Sequence, residues 1–328
     1  QIVAPDGRVM AMAGKDEDII YADIDVSQAN DKRRPDGTDI FAARNASLYQ
    51  ALADDPAEQD LPAISGTEDV AAASIRLQEH GGEAFVEILQ RVQEAQAAGA
   101  KLICLPALPG ATGIDDTTIS QELITAIAGL LADDVYVATS MALDDGAVHG
   151  AILIDKTGIV LKQSLMHATT RYRWSSTDTE TPTLETRHGK VGILCGDDAI
   201  FPEVFRLYAM RGVSIMLIPA DFAESWEAAT GLVERAAENR INIVAASHAD
   251  SAASGLIATL QKDFTIMTPW EDREFDGLLS APVVQRCDDD LLVADIHPLA
   301  AANKECSRNT HLINSRPWWL LNPITAQQ

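Results

Sequence analysis

The sequence predicts a layered α/β sheet fold, and three observations carry that expectation. From residue 69 onward, short apolar runs alternate with amphipathic helical stretches, the order that stacks helices on sheets. Hairpin-like pairs of strands are inserted into that alternation. The third observation is residues 189–206, GKVGILCGDDAIFPEVFR. A buried strand over 191–194 meets a sharp turn at Cys195-Gly196, and a helix opens near Phe201-Pro202-Glu203. Proline suits a first helical turn and glutamate suits the positive helix end. A thiol is thereby placed at a strand C-terminus facing a helix start, where open α/β sheets hold their chemistry and where a thiol's pKa falls.

In chain order, residues 1–11 and 16–25 read as two strands, with a turn at Asp6-Gly7. The tail DVSQANDKRRPDGTDIFAARNASLYQAL (25–52) follows, then ADDPAEQDLPAISGTED, rich in proline and acid and a linker by composition. Residues 70–77 form a strand and 82–98 an amphipathic helix ending at Gly99. KLICLPAL (101–108) is a buried strand, 117–131 a helix and 135–143 a strand. Residues 148–155 and 159–165 pair as a hairpin about Lys156-Thr157-Gly158. After the central strand and helix come a strand at 214–219, a helix at 224–239 and a strand at 241–247. Strands at 255–261, 265–268, 282–286 and 291–296 close a β-rich end.

Composition bounds the class. The 328 residues suffice for one large domain and an appendage, and 47% are apolar. A formal net charge of −24 argues against nucleic acid and anionic membrane surfaces as partners. Cys104, Cys195, Cys287 and Cys306 lie far apart without metal-ligand spacing, so neither metal nor cofactor is expected. Free thiols point to a reducing, cytoplasmic compartment. No apolar run is long enough to span a membrane, and QIVAPDGRVMAM is unlike a signal peptide.

The chain repeats itself once. Residues 19–49 align without a gap on residues 291–321, with Ala22/Ala294, Asp23/Asp295, Ile24/Ile296, Ala29/Ala301, Lys32/Lys304, Thr38/Thr310, Arg44/Arg316 and Leu48/Leu320 identical. The offset is one whole domain rather than a solenoid period. Residues 1–50 are therefore expected to be the last strands and tail of a partial first copy, 51–68 a linker, and 69–328 a nearly complete second copy.

GAKLICLP, the block GKVGILCGDDAIFPEVFRLYAMRGVSIMLIPAD and ERAAENRINIVAAS occur in an order that resembles the nitrilase, or carbon–nitrogen hydrolase, superfamily. QIVAPDGRV resembles the segment that follows there. The resemblance implies a four-layer α-β-β-α sandwich. It also implies pairing of subunits, with C-terminal tails crossing between them.

The chemistry so implied is cleavage of nitriles or amides by a cysteine nucleophile, a glutamate base and a lysine. A thiol is only slightly ionised near neutral pH, so a base must take its proton, and the oxyanion needs a fixed donor. Cys195 falls on the nucleophile position. The glutamate should follow Pro106, where Ala107 stands; the lysine should stand two residues before His167, at Leu165. Lys162 is at an odd strand offset from Leu165 and so faces the other way. Glu94 belongs to the preceding helix, and Asp197, beside Asp198, matches a structural position of the family. The reading is a degenerate site in a structural or regulatory domain supporting a partner copy; the alternative is an active cysteine-dependent amidase or nitrilase. Expected partners are a second copy of the chain, or a chain carrying the rest of the first nitrilase-like copy.

His167 and His248 are read as structural histidines, Trp318-Trp319 as an anchor for the tail, and Arg33-Arg34 as a solvated pair.

Overall fold

The computed structural model describes residues 1–5, 7–58, 61–109, 121–143, 148–171, 180–261, 282–307 and 310–326. The strand expected at 265–268 and the first turn of the helix expected from 117 lie outside them. The chain divides into two compact units, residues 1–44 with 169–171, and residues 45–168 with 172–328.

The larger unit holds two six-stranded mixed sheets. One is built from β3 (Val70–Ile75), β4 (Leu102–Cys104), β5 (Tyr136–Leu143), β6 (Val148–Asp155), β7 (Gly158–Ser164) and β14 (Leu291–Ile296), in the order β14-β3-β4-β5-β6-β7. The other runs β13-β12-β11-β10-β9-β8. It comprises β8 (Leu184–Thr186), β9 (Gly189–Ile193), β10 (Ile215–Pro219), β11 (Asn242–Ala246), β12 (Leu256–Thr259) and β13 (Val283–Arg286). β3-β4-β5 and β9-β10-β11 are parallel, so both faces must be covered, and their sequences are correspondingly continuous apolar runs.

Alternation along the strands assigns the faces. Leu102 and Cys104 of β4 join Val191, Ile193, Leu217 and Val244 in the core between the sheets. Ile103 points the other way, into a cluster with α1 (Ala84–Ala97) and α2 (Gln121–Leu130) through Ile88, Val92, Ile124 and Ile127. On the outer face of the second sheet, α3 (Pro202–Met210) lies so close to β9 that a Cβ on Gly192 would stand 2.8 Å from the Tyr208 ring. With α4 (Leu232–Asn239) beside α3, this completes the α-β-β-α sandwich expected from the sequence.

Several boundaries differ from the sequence reading. The strand expected over 101–108 ends at Cys104, because Pro106 cannot donate to a ladder. β8 had no signal: LET is short and half polar. The helix expected at 224–239 begins as a wide π turn at Glu227–Gly231. Residues 51–68, linker-like in composition, carry 3-10 turns at Ala46–Ala53 and Pro56–Glu58, and Gly66 bridges to Gly189. Gly66 has φ +129° and a Cβ there would lie 2.3 Å from the His188 carbonyl oxygen, so no other residue fits.

Tail residues reach back onto this unit. Arg316 is buried and donates to the carbonyls of Leu52 (3.0 Å), Asp54 (2.6 Å) and Ile313 (2.9 Å). Gln50 Nε2 donates to Thr325 O at 2.6 Å. Lys304 donates to Asn239 O and Arg240 O, both at 2.9 Å, at the end of α4. Trp318 is half-buried against Trp319 edge-on, but Trp319 is 60% exposed, so only one ring can serve the anchoring expected of the pair.

In the smaller unit, β1 (Ile2–Val3) and β2 (Val9–Ala11) form a short hairpin. Residues 16–25, expected as a second strand, are not one: 16 and 17 lie in a bend, no strand among the described residues pairs with the segment, and all of it but Ile20 and Ala22 is exposed. A 3-10 turn follows at Val26–Asn30, then a bridge between Arg33 and Asp39. The aligned residues of the larger unit repeat this order: a 3-10 turn at Pro298–Ala302, then β15 (Glu305–Ser307) and β16 (Thr310–His311), with Glu305 opposite His311. The Arg33-Arg34 expectation holds for Arg33, exposed and forked onto Asp31. Arg34 is instead largely covered beside Asp36. Among the described residues no helix is long and apolar enough to cross a membrane.

Candidate functional site

Cys195 sits where β9 leaves its sheet. The register Val191↔Ile215, Gly192↔Met216 and Ile193↔Leu217 holds the strand, and Leu194 N donates to Leu217 O at 3.2 Å. The chain then turns through a 3-10 segment, Gly196–Ile200, closed by Asp198 N donating to Cys195 O at 3.0 Å. Only after that turn does α3 begin, at Pro202. Gly196 allows the turn to press on β10's end: a Cβ there would lie 2.9 Å from Ala220 Cα.

Hydrogen bonds link the three positions singled out by the sequence. Ala107 N donates to Ala220 O at 3.0 Å, beside Gly196. The next residue, Leu108, is left-handed at φ 45° and its N–H donates to Ser140 Oγ at 2.9 Å. Ser140 Oγ is 2.8 Å from His149 Nε2, and His149 O accepts from Leu165 N at 2.7 Å. Asp198 closes the ring, accepting from Met166 N and His167 N at 3.0–3.1 Å and lying 2.8 Å from His167 Nδ1. His167 Nε2 is 2.6 Å from Tyr49 Oη, and the imidazole stacks on Phe201 with centroids 3.8 Å apart.

Every centre in that ring is out of water. Cys195, Leu165, His167 and Asp198 are 0% exposed and Ala107 is 5% exposed. Leu165, Leu108 and Cys104 share one apolar cluster with Cys195. Burial drives the Cys195 thiol pKa well above its ordinary value, and the carboxylates of Asp198 and Asp197 add to the rise. This corrects the expected lowering by a helix start: the α-helix begins one turn too late, and the intervening turn brings two acids. Lys162 is exposed, as its strand offset from Leu165 requires.

Asp197, matched by the sequence reading to a structural position of the family, is buried, and its neighbour Asp198 grips the 165–167 turn. Tyr49, Ser140, His149 and Phe201 had no individual signal; they act through backbone carbonyls, hydroxyls and a ring face that no motif encodes. His248, read as structural, bonds Ala107 O through Nε2 at 2.8 Å and stacks on His80 at 4.2 Å. Burial lowers its pKa below the ordinary imidazole value. Among the described residues no group of three His, Cys, Asp or Glu side chains is placed to hold a metal.

A family model described as carbon-nitrogen hydrolase matches residues 71–261. No curated protein sequence matches. Among solved structures, a cysteine-to-alanine variant of the amidase of the nitrilase superfamily from Nesterenkonia AN1 superposes with TM-score 0.55 at 17% identity, covering 74% of this chain and 96% of that one. An amidase from Nesterenkonia sp. gives TM-score 0.54 at 18% identity over 74% and 95% of the two chains. A variant of the AN1 amidase in complex with butyramide gives 0.54 at 18% over 72% and 94%.

Proposed function

Because the chain belongs to the carbon–nitrogen hydrolase family, we propose that residues 69–328 are a catalytically silent nitrilase-like domain with a structural or regulatory role, supporting a partner copy of the same fold. The observation that carries this is Leu165, fully buried with Cys195 in one apolar cluster, where the family resemblance calls for a lysine. A cation there would stabilise the oxyanion; removing one such donor costs roughly a hundred- to a thousandfold in rate. Ala107 removes the base as well, a further factor of roughly a hundred or more. Burial and two nearby carboxylates keep Cys195 protonated, the opposite of what a nucleophile needs. What remains is architecture: Asp198, His167 and Tyr49 use the site's scaffold to pin the 165–167 turn to the tail at Ala46–Ala53.

The test is hydrolysis of a panel of short aliphatic amides and nitriles, with butyramide, the amide of the Nesterenkonia complex, as the first member. The expected result is no turnover above that of Cys195→Ala. Turnover that vanishes in Cys195→Ala would overturn the proposal and favour a cysteine-dependent amidase. Ala107→Glu combined with Leu165→Lys should, in a folded variant, restore measurable turnover that still requires Cys195.

A further inference from the structure

We infer that residues 19–24 are an interaction surface, adding as an antiparallel edge strand to a second nitrilase-like sandwich that lacks its own last strand. The inference rests on the family membership and the partner copy proposed above, but not on the absence of catalysis.

The argument starts from what β14 does. Residues 288–296 read DDDLLVADI, and residues 16–24 read DEDIIYADI. β14 pairs along its whole length with β3, from Leu291↔Ile75 to Ile296↔Val70. Leu291 and Val293 pack toward α1 and α2, while Leu292, Ala294 and Ile296 enter the core between the sheets. The residues before it are used too, Asp288 through its main-chain carbonyl and Asp290 through its carboxylate. Asp288 O accepts from Arg76 at 2.7 Å, Gln78 donates to Asp290 at 2.9 Å, and Arg91 of α1 forms an ion pair with Asp290.

Residues 16–24 carry the same two-faced pattern and the same acidic lead-in, but only Ile20 and Ala22 are half-buried and the rest of the segment is exposed. Ile19 is 73% exposed, Tyr21 82% and Ile24 38%. Among the described residues no strand pairs with them; Ile19 N is bonded to the adjacent Asp18 carboxylate. A segment outside any ladder leaves N–H and C=O groups as a template for another strand, and main-chain pairing plus alternate side-chain pockets is a general recognition mode.

The pattern also specifies the occupant. It calls for an apolar strand of the Val70–Ile75 type, followed by an arginine like Arg76 to bond a main-chain carbonyl at 16–18 and a helix bearing a cation like Arg91 to meet an acid there. An intact second copy of this chain does not qualify. Its own β3 is already covered by β14 on one edge and β4 on the other.

The test mixes isotopically labelled wild-type chain with a full-length acceptor in which Val293→Pro and Asp295→Pro disable its own β14. Hydrogen exchange by mass spectrometry then follows labelled peptides covering residues 19–24. The expected result is exchange slowed roughly tenfold or more by the acceptor, unchanged by added wild-type chain, and lost when the labelled chain carries Ile24→Asp. No slowing by an acceptor that near-UV circular dichroism shows to be folded overturns the inference, as does equal slowing by wild-type chain. If the acceptor does not fold, the full-length variant L291I/L292I/V293Y decides, because it gives positions 291–296 the sequence of 19–24. A cooperative melt within about 3 °C of wild type supports the cognate pairing, and a drop beyond that overturns it.

Discussion

DEDIIYADI and DDDLLVADI differ little as sequences, but the second ends in a fully laddered strand and the first belongs to no ladder among the described residues. Their alternation, β-branching and acidic lead-in are equally good strand signals. The difference lies in whether Val70–Ile75 is opposite. Period-two patterning therefore states what a segment can bury, and a neighbouring strand decides whether it does. Further along, the two stretches fold alike. Val26–Asn30 and Pro298–Ala302 are both 3-10 turns, and Arg33 faces Asp39 as Glu305 faces His311. These turns are closed by bonds within a few residues and need no distant ladder.

Paired substitutions at aligned positions sharpen this contrast. The largest effect is expected at Ile296, which is fully buried: Ile296→Ala should cost about 2–5 kcal/mol in denaturant unfolding, whereas Ile24→Ala should change stability by less than about 0.5 kcal/mol. Equal losses at both positions would break the comparison. Next is Arg316. Arg316→Ala should destabilise by about 1–3 kcal/mol because the carbonyls of Leu52, Asp54 and Ile313 lose their donor, while Arg33→Ala, at an exposed ion pair, should leave the unfolding midpoint nearly unchanged.

The smallest effect is a pH slope. Burial, with Arg240 and Arg206 nearby, pulls the Lys304 pKa from 10.5 down to about 7. Between those values the unfolded chain binds the proton and the folded chain does not, so stability should rise with pH from about 7 toward 10.5 and lack this contribution to the slope below 7. Lys304→Met should flatten that rise. A slope insensitive to Lys304→Met would refute the assignment.

Much of the architecture was legible because it depends on local patterns. The apolar runs of β10 and β11, the amphipathic α1 and the Cys195 strand end follow from periodicity and punctuation. What was not legible depends on three-dimensional company. Which of Asp197 and Asp198 grips the 165–167 turn is set by how the 3-10 segment winds. The direction of the Cys195 shift is set by what buries it. Tyr49 reaches His167 across more than a hundred residues, and no spacing rule connects them.

The central claim is that Cys195 is a packed core thiol rather than a nucleophile. Intact-mass and peptide mapping after iodoacetamide treatment at pH 8 tests it most directly. The expected result is no label on Cys195 in the native protein and complete labelling after unfolding in denaturant, since the thiol is fully buried and held protonated. Rapid, selective labelling of Cys195 in the native protein would contradict the account.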